Sequence, residues 1–497
     1  MVFHSRAQSL LRERHSEQLR PLIVATAVSV GFALVILLTG GRVMISGGLL
    51  AVGCVVFLTL YRLDWGFCLF IGMVLIFDQF EIPDIDSLTY KVNYFNNINT
   101  ISYLPYISSG VVSPLELHLV LLLLVWFILL AVRRDVMVVG PSIWPLAVTF
   151  FAWLLIMLAY GLKEGGDFVI ALWELRALFY MGLMYFFVPQ IIRTRNQIQT
   201  LMWVCIVGVS FKAFEGTARF VGFGLNMGGN DALLNHEDPV FFVTLLIMLA
   251  GFVLFKVKSA QKGVLWMLTL PILIGFYAAN RRAAYASAAV SLFTFIALLP
   301  WSMLKRFGRF LVPMLVLFVI YGAVFWGNAG RLAGPINQIR SGFVTDEDEI
   351  GERNYYSNLY RKIEDFNLAA TIQLSPLVGI GFGTKYEQPL ALIAINYSLR
   401  DYMAHNNVIW LLVKIGGIGF FLFWFFLDAF ALRGTGILQR LNDPYLQVIC
   451  IMVIVAVINQ IVAAYFDLHL VRYRTLLYMG TLMGILPALE ASTKQPS

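Results

Sequence analysis

Long apolar stretches recur along this chain, and most are separated only by short polar connections. Hydrophobic residues make up 59% of the 497 residues and charged residues only 13%, whereas soluble domains carry roughly a quarter charged residues. A helix that crosses the hydrocarbon core of a bilayer needs about 20 apolar residues. The sequence therefore predicts an all-α polytopic membrane protein with about 14 transmembrane helices, in a range of about 12–14.

The apolar runs give the limits of the predicted spans. They lie at residues 21–40, 43–60, 65–80, 114–132, 142–161, 168–189, 198–214, 236–255, 264–280, 283–300, 310–327, 405–428, 445–463 and 473–490. No small-residue cleavage pattern follows the first run, so we expect it to be retained rather than removed as a signal peptide. The predicted organisation is a cytoplasmic segment at 1–20, a single transmembrane domain over 21–490 and a cytoplasmic tail at 491–497.

The net charge of +7 has a topological explanation. Basic residues such as Arg133-Arg134 and Lys305-Arg306 recur in short connections on one side of the predicted bundle, as the positive-inside rule requires of cytoplasmic loops. Both termini are then cytoplasmic, and a large loop at 328–404 lies on the opposite side. The charge therefore does not indicate a nucleic-acid partner.

The 328–404 loop is expected to be partly helical. Apolar residues recur at helical spacing between Asn358 and Leu374, which predicts a helix that packs on the membrane domain. Pro376 and the glycines of Gly379-Ile380-Gly381-Phe382-Gly383 should end that helix and permit a close approach between backbones.

Four arginines are candidates for a functional site. Arg281-Arg282 lies where two apolar segments meet, and guanidinium groups at that depth are costly unless they face water, a partner or an anion; the alternative is that they reach the lipid headgroups. Arg361 lies on the predicted loop helix, where a surface pair with Asp365 is the alternative. Arg176, two residues after Glu174, is either half of a structural ion pair or a group that faces a polar cavity.

His405 opens an apolar helix at the end of the loop. An imidazole titrates near neutral pH and is suited to accept a proton, although a capping or interface role is the alternative. His236, Glu237 and Asp238 are adjacent in sequence but have no further ligands at a spacing typical of a metal site. We therefore expect neither a metal ion nor a cofactor.

The motifs resemble those of the O-antigen ligase and polysaccharide polymerase superfamily, and they follow one another in the same order. The resemblance covers about Glu174 to Gly419 and rests on Arg281-Arg282-Ala283-Ala284, on Arg361, on Ser375-Pro376-Leu377-Val378-Gly379-Ile380-Gly381-Phe382-Gly383, and on His405-Asn406 followed by Lys414-Ile415-Gly416-Gly417-Ile418-Gly419. The family has a small residue beside its arginine, so either Arg281 or Arg282 occupies the family position.

The resemblance implies a multi-pass protein of the bacterial inner membrane whose active site faces the periplasm or exterior. It implies an inverting, metal-independent glycosyltransferase that moves a glycan from a polyprenyl diphosphate to a hydroxyl of a glycan or lipid-linked glycan acceptor. In that scheme His405 is the base, and the diphosphate is held by Arg176, Arg281, Arg282 and Arg361. Membrane lipids and proteins of a polysaccharide export system are the further partners it implies.

Three functions stay open. A polymerase of repeat units is preferred over a ligase that uses a lipid A core acceptor, because the predicted external loop Asp78–Ser113 carries aromatics suited to stack on sugars: Tyr90, Tyr94, Phe95, Tyr103 and Tyr106. An interfacial aromatic belt is the alternative role for these residues. A transporter of a solute or lipid-linked sugar is the third function, and the scarcity of carboxylates within the spans argues against it.

Overall fold

The computed structural model describes the chain from residue 26 to residue 494, except residues 27–28, 35, 38–42, 101–111, 134–136, 228–231, 328–332, 345–350, 394–396 and 398. The α-helices with defined bounds are α1 (Val43–Tyr61), α2 (Leu63–Ile76), α3 (Leu88–Lys91), α4 (Pro114–Val132), α5 (Trp144–Lys163), α6 (Phe168–Ile191), α7 (Arg195–Gly222), α8 (Asp238–Leu254), α9 (Ala260–Ala279), α10 (Arg282–Leu298), α11 (Trp301–Phe325), α12 (Gly334–Arg340), α13 (Glu352–Leu374), α14 (Asn407–Leu438), α15 (Pro444–Phe466), α16 (Tyr473–Gly484) and α17 (Leu486–Ser492). The regular structure of these described residues is entirely helical, as predicted.

Within the described ranges, seven helices are long and apolar enough to cross a membrane. They are α4, α5, α6, α7, α9, α14 and α15, and α11 makes an eighth if its two bent parts are one span. The protein is thus a helical membrane protein with several candidate spans, while the count of about 14 and the side faced by the 328–404 loop stay predictions. Residues 1–25 and most of the first predicted span, 21–40, lie outside the described residues.

Some predicted spans give shorter helices than their apolar runs suggested. Helices α8 and α10 have 17 residues each, and the apolar run 473–490 is divided at Ile485 into α16 and α17. Pro487 lies in the first turn of α17, where its missing N–H group is tolerated. Apolar length alone did not reveal where these helices begin and end.

The chain divides into two compact units. The smaller consists of residues 1–69 and 118–134 and contains α1, the start of α2 and most of α4. The larger consists of residues 70–117 and 135–497 and contains all five predicted site residues. In the larger unit α15 is almost entirely buried and packs against α8, α10 and α14. The predicted single transmembrane domain over 21–490 stays a prediction.

The loop after α13 approaches the helices closely through glycine. Gly379, Gly381 and Gly383 have φ angles of 83°, 80° and 81°, a region that side chains with a Cβ rarely adopt. A Cβ on Gly381 would lie 2.5 Å from the Cα of Gly161 in α5, well inside van der Waals contact. The prediction that this run ends the loop helix and permits a close backbone approach is confirmed.

Helix α14 is interrupted at Gly416, whose φ and ψ are 63° and −179°. The interruption frees backbone groups, and the glycine loop binds them: the N–H of Gly381 donates to the carbonyl of Lys414 at 3.0 Å, and the N–H of Gly417 donates to that of Pro376 at 2.8 Å. Because backbone groups in apolar surroundings need partners, the loop and the broken helix stabilise each other.

A fully buried ion pair links α6 to α14 beside this interruption. Glu174 and Lys414 are both 0% exposed, and their Oε1 and Nζ atoms lie 2.8 Å apart. The N–H of Gly383 donates to the other carboxylate oxygen, and Lys414 also donates to the carbonyl of Thr384, both at 2.5 Å. The partner of Glu174 is thus Lys414 and not Arg176, the residue beside it in sequence.

The glycine loop provides a stability test. We expect Gly381→Ala to lower the free energy of unfolding by about 1–3 kcal/mol, the usual cost of overpacking. The reason is that the added Cβ would collide with Gly161. The matched control is Gly263→Ala in α9, where a Cβ would meet nothing within 4 Å and alanine favours the helix. The measurement is the thermal midpoint of the detergent-solubilised protein, and equal midpoints for the two variants would contradict the packing argument.

Candidate functional site

Four of the five predicted site residues line a single cavity of about 730 Å³: Arg281, Arg282, Arg361 and His405. They come from the junction between α9 and α10, from α13, and from the residues just before α14. The remainder of the lining is largely polar, with side-chain amides from Asn226, Asn280, Gln338 and Asn354. The fold therefore brings distant polar segments together around one space.

A tight turn places the arginine doublet at the cavity. Helix α9 ends at Asn280, which adopts the left-handed conformation with φ of 44° and ψ of 48°, and asparagine tolerates this conformation better than most residues. Arg281 is extended and Arg282 begins α10. Because only Asn280 and Arg281 separate α9 from α10, both guanidinium groups lie at the end of this helix pair.

Arg281 keeps an unused hydrogen-bond donor at the cavity. Its Nε is buried and has no hydrogen-bond acceptor among the described residues. Burial together with the nearby cations Arg472 and Arg361 lowers the pKa of Arg281 to about 10, while Asp467 opposes the shift. The side chain remains protonated at neutral pH, and a guanidinium that keeps unused donors matches the oxygens of a phosphate.

Arg282 and Arg361 have different environments. Arg282 ties α10 to α13, since its guanidinium donates to the side chains of Ser357 (3.1 Å) and Asn358. Arg361 lies one turn after Ser357 on α13 and forms no hydrogen bond or ion pair with any residue that the structure describes. No ion pair within 4 Å joins Arg361 to Asp365; burial raises the pKa of Asp365, and the charge of Arg361 opposes that shift from a longer distance. The donors of the Arg361 guanidinium stay unused and face the cavity.

His405 is held by a buried carboxylate. Its backbone N–H donates to Oε2 of Glu364 at 2.8 Å, and its Nδ1 lies 3.3 Å from Oε1 of the same residue. Glu364 is 1% exposed and the His405 side chain is 23% exposed. A proton on Nδ1 shared with the carboxylate leaves Nε2 as a proton acceptor. The N-cap of α14 is Asn406, whose side chain accepts from the N–H of Ile409, so His405 is not the cap.

The sequence analysis missed Glu364, although a signal was present. Glu364 follows Arg361 by three residues on α13, a spacing that places two side chains on one helix face. A helix that presents Arg361 to the cavity therefore also presents Glu364 nearby.

A second imidazole–carboxylate pair lines the same cavity. Nδ1 of His236 is hydrogen-bonded to Oδ2 of Asp467, a residue that follows α15. Burial and the charge of Arg281 lower the pKa of His236 to about 4, against the opposing effect of Asp467. The imidazole is therefore neutral at pH 7. This pair joins residues more than two hundred positions apart, and no local pattern indicated it.

The two carboxylates that follow His236 point to other partners. Glu237 forms an ion pair with Arg472 at 3.0 Å, and Asp238 forms one with Arg474 at 2.9 Å. Both carboxylates are fully buried. The side chains of this triplet thus face three different partners, and the described residues contain no group of three metal-ligating side chains.

Arg176 does not line the cavity. Its Nε lies 3.7 Å from Oε1 of Glu116, and the hydroxyl of Tyr180 donates to the same oxygen at 2.5 Å. The side chain thus has a carboxylate partner within the helical bundle. Its predicted role in diphosphate binding stays a prediction that this cavity does not support.

The aromatic residues of the 78–113 loop have a different role from the one expected. Tyr94 and Phe95 are only 4% and 5% exposed, and their rings pack against each other with centroids 5.3 Å apart. Side chains this buried have no face available for a sugar, so the expected stacking role is wrong for these two. Tyr103 and Tyr106 lie outside the described residues.

No protein-family model matches the chain, and no curated protein matches it either. The resemblance to O-antigen ligases and polysaccharide polymerases therefore rests on the sequence motifs alone and stays a prediction.

Two imidazoles with lowered pKa values, buried His469 and half-buried His236, predict a pH dependence of stability. Burial lowers the pKa of His469 to about 4, as it does for His236, whereas an unfolded histidine titrates near about 6.5. Between these values the unfolded chain binds more protons than the folded one, so stability is complete above about pH 6.5 and is lost as pH falls toward about 4.

We expect the thermal midpoint of the solubilised protein to fall between pH 7 and pH 4.5, and the fall to be smaller in His469→Gln. The quantity compared is the difference between the two midpoints, which removes any uniform effect of the substitution. An identical fall in the variant and the wild type would refute this account.

Proposed function

We propose that the protein transfers a glycan from a polyprenyl diphosphate to a sugar hydroxyl at the extracytoplasmic face of a bacterial inner membrane. The polymerisation of O-antigen or exopolysaccharide repeat units is the reaction we favour. The observation that supports the proposal is the cavity in which Arg281, Arg282, Arg361 and the carboxylate-supported His405 converge.

The arginines suit the leaving group. When the bond between the anomeric carbon and the diphosphate oxygen breaks, negative charge develops on the diphosphate. Preorganised cations in a site that partly excludes water stabilise such charge most strongly. Arg281 and Arg361 are suited to this role because their guanidinium groups have unused donors among the described residues. The scheme requires no metal, since the guanidinium groups provide the positive charge.

His405 suits the role of base. A sugar hydroxyl becomes a better nucleophile when a group within hydrogen-bond reach removes its proton. In the proposed step the hydroxyl oxygen bonds to the anomeric carbon, its proton moves to Nε2 of His405, and the diphosphate leaves from the opposite face, which inverts the configuration. Glu364 holds the imidazole in the required orientation and stabilises its protonated form, as a carboxylate does in other imidazole–carboxylate pairs.

The extracytoplasmic location rests on the charge pattern of the loops. The positive-inside rule assigns the basic connections to the cytoplasm and puts the Arg281-Arg282 junction and the 328–404 loop on the other side. The shared cavity supports this arrangement, because it requires that junction and His405 to lie at the same end of the helical bundle.

The role of His405 as the base can be tested by substitution. We expect His405→Ala to abolish product formation from purified lipid-linked oligosaccharide, read by mass spectrometry, while insertion into the membrane is unchanged. A variant that retains full activity would exclude His405 as the base.

The role of Arg361 toward the leaving group can be tested in the same assay. We expect Arg361→Ala to lower kcat/KM by roughly 100-fold, the usual effect of removing one charge-stabilising donor. The matched control is Lys362→Ala, which removes a positive charge from the next position of α13, where the side chain is exposed and lines no part of the cavity. An equal decrease of kcat/KM in the two variants would show that only net charge matters.

The product distinguishes a polymerase from a ligase. Loss of a ladder of polymer lengths upon deletion indicates a polymerase, whereas accumulation of full-length lipid-linked polymer indicates a ligase that uses a lipid A core acceptor. The burial of Tyr94 and Phe95 removes part of the original reason for preferring the polymerase.

A transporter remains the alternative of a different class. Glu174, one of the few carboxylates within the predicted spans, is fully buried and paired with Lys414. Uptake of solute by vesicles that contain only this protein would favour the transporter, and conversion of purified lipid-linked glycan would favour the enzyme.

A further inference from the structure

A second, smaller cavity adjoins the first. Its volume is about 220 Å³, and it shares Arg282, Arg361 and His405 with the larger cavity. The remaining wall includes Asp365, Asn406 and Tyr465. We propose that this smaller cavity binds the terminal sugar of the acceptor glycan, an assignment that rests on the proposed glycosyl transfer.

The position of His405 is the first argument. A base that activates the acceptor must contact the acceptor hydroxyl, and the product bond forms where donor and acceptor meet. His405 borders both cavities, whereas His236 borders only the larger one. Of these two imidazoles, only His405 can therefore act on a hydroxyl that enters from the smaller cavity.

The chemistry of the two walls is the second argument. The wall of the larger cavity has three arginines against one carboxylate, that of Asp467, and this excess of positive charge suits a diphosphate. The wall of the smaller one has two arginines against two carboxylates, those of Glu364 and Asp365, so it offers no excess of positive charge to a second phosphate. Carboxylates accept hydrogen bonds from neutral hydroxyl groups, and amides such as that of Asn406 both donate and accept. This mixture matches an uncharged sugar.

Tyr465 provides an aromatic face. It lies at the end of α15, is 49% exposed and lines the smaller cavity beside Phe466, whose ring centroid is 5.1 Å away. The negative face of an aromatic ring attracts the weakly positive C–H groups of a partner, and one side of a sugar ring presents such groups. The volume of about 220 Å³ accommodates one sugar ring.

The test separates acceptor binding from donor binding. Purified protein in nanodiscs is given lipid-linked oligosaccharide as the donor, and oligosaccharide released from the same lipid by mild acid serves as the acceptor; each concentration is varied in turn. We expect Tyr465→Ala to raise the acceptor KM about tenfold, as loss of one aromatic contact does, with little change in the donor KM. Tyr465→Phe keeps the ring and should behave as the wild type.

The control is Phe366→Ala, which removes an exposed aromatic of α13 that lines neither cavity. Asp365→Asn is the second test variant if Tyr465→Ala does not fold, and the same split between the two KM values is expected. An unchanged acceptor KM, or equal changes in the acceptor KM and the donor KM, overturns the acceptor assignment. Glycan transfer by the wild type would still support the proposed function. Failure of the wild type to convert the donor overturns the proposed function and this inference together.

Discussion

The ion pair between Glu174 and Lys414 is the constraint on which the position of the candidate site depends. Both residues are 0% exposed, and loss of either partner would leave an uncompensated buried charge, at a cost of about 3–5 kcal/mol. Lys414 lies in the first part of α14, the helix that begins two residues after His405. The pair and the glycine loop therefore fix the position of His405 from inside the helical bundle.

The cations of the interior and those of the cavity differ in their carboxylate partners. Arg472 and Arg474 are buried and paired with Glu237 and Asp238, so their charges are neutralised within the fold. Among the described residues, Arg361 has no carboxylate partner within ion-pair distance. A guanidinium without a carboxylate partner adds no stabilising ion pair to the fold. The excess positive charge thus points to a ligand that brings its own negative charge.

The sequence predicted the elements of the site better than the contacts that complete it. The motifs marked Arg281, Arg282, Arg361 and His405 as candidates, and the fold places these four residues around one cavity. The pairs Glu174–Lys414 and His236–Asp467 were not predicted, since each joins positions more than two hundred residues apart and neither partner has a local signature. Apolar length also misjudged helix limits, which caps and prolines determine.

The interruption of α14 at Gly416 has a mechanical consequence. A helix transmits a tilt along its axis through unbroken i to i−4 hydrogen bonds, and sharp bends occur where that series is interrupted. Spans tilt to match the thickness of the surrounding lipid. The exposed rings of Phe421 and Phe425 lie beyond Gly416, so a tilt of that half of the helix has no unbroken series of hydrogen bonds through which to turn the half that begins beside His405.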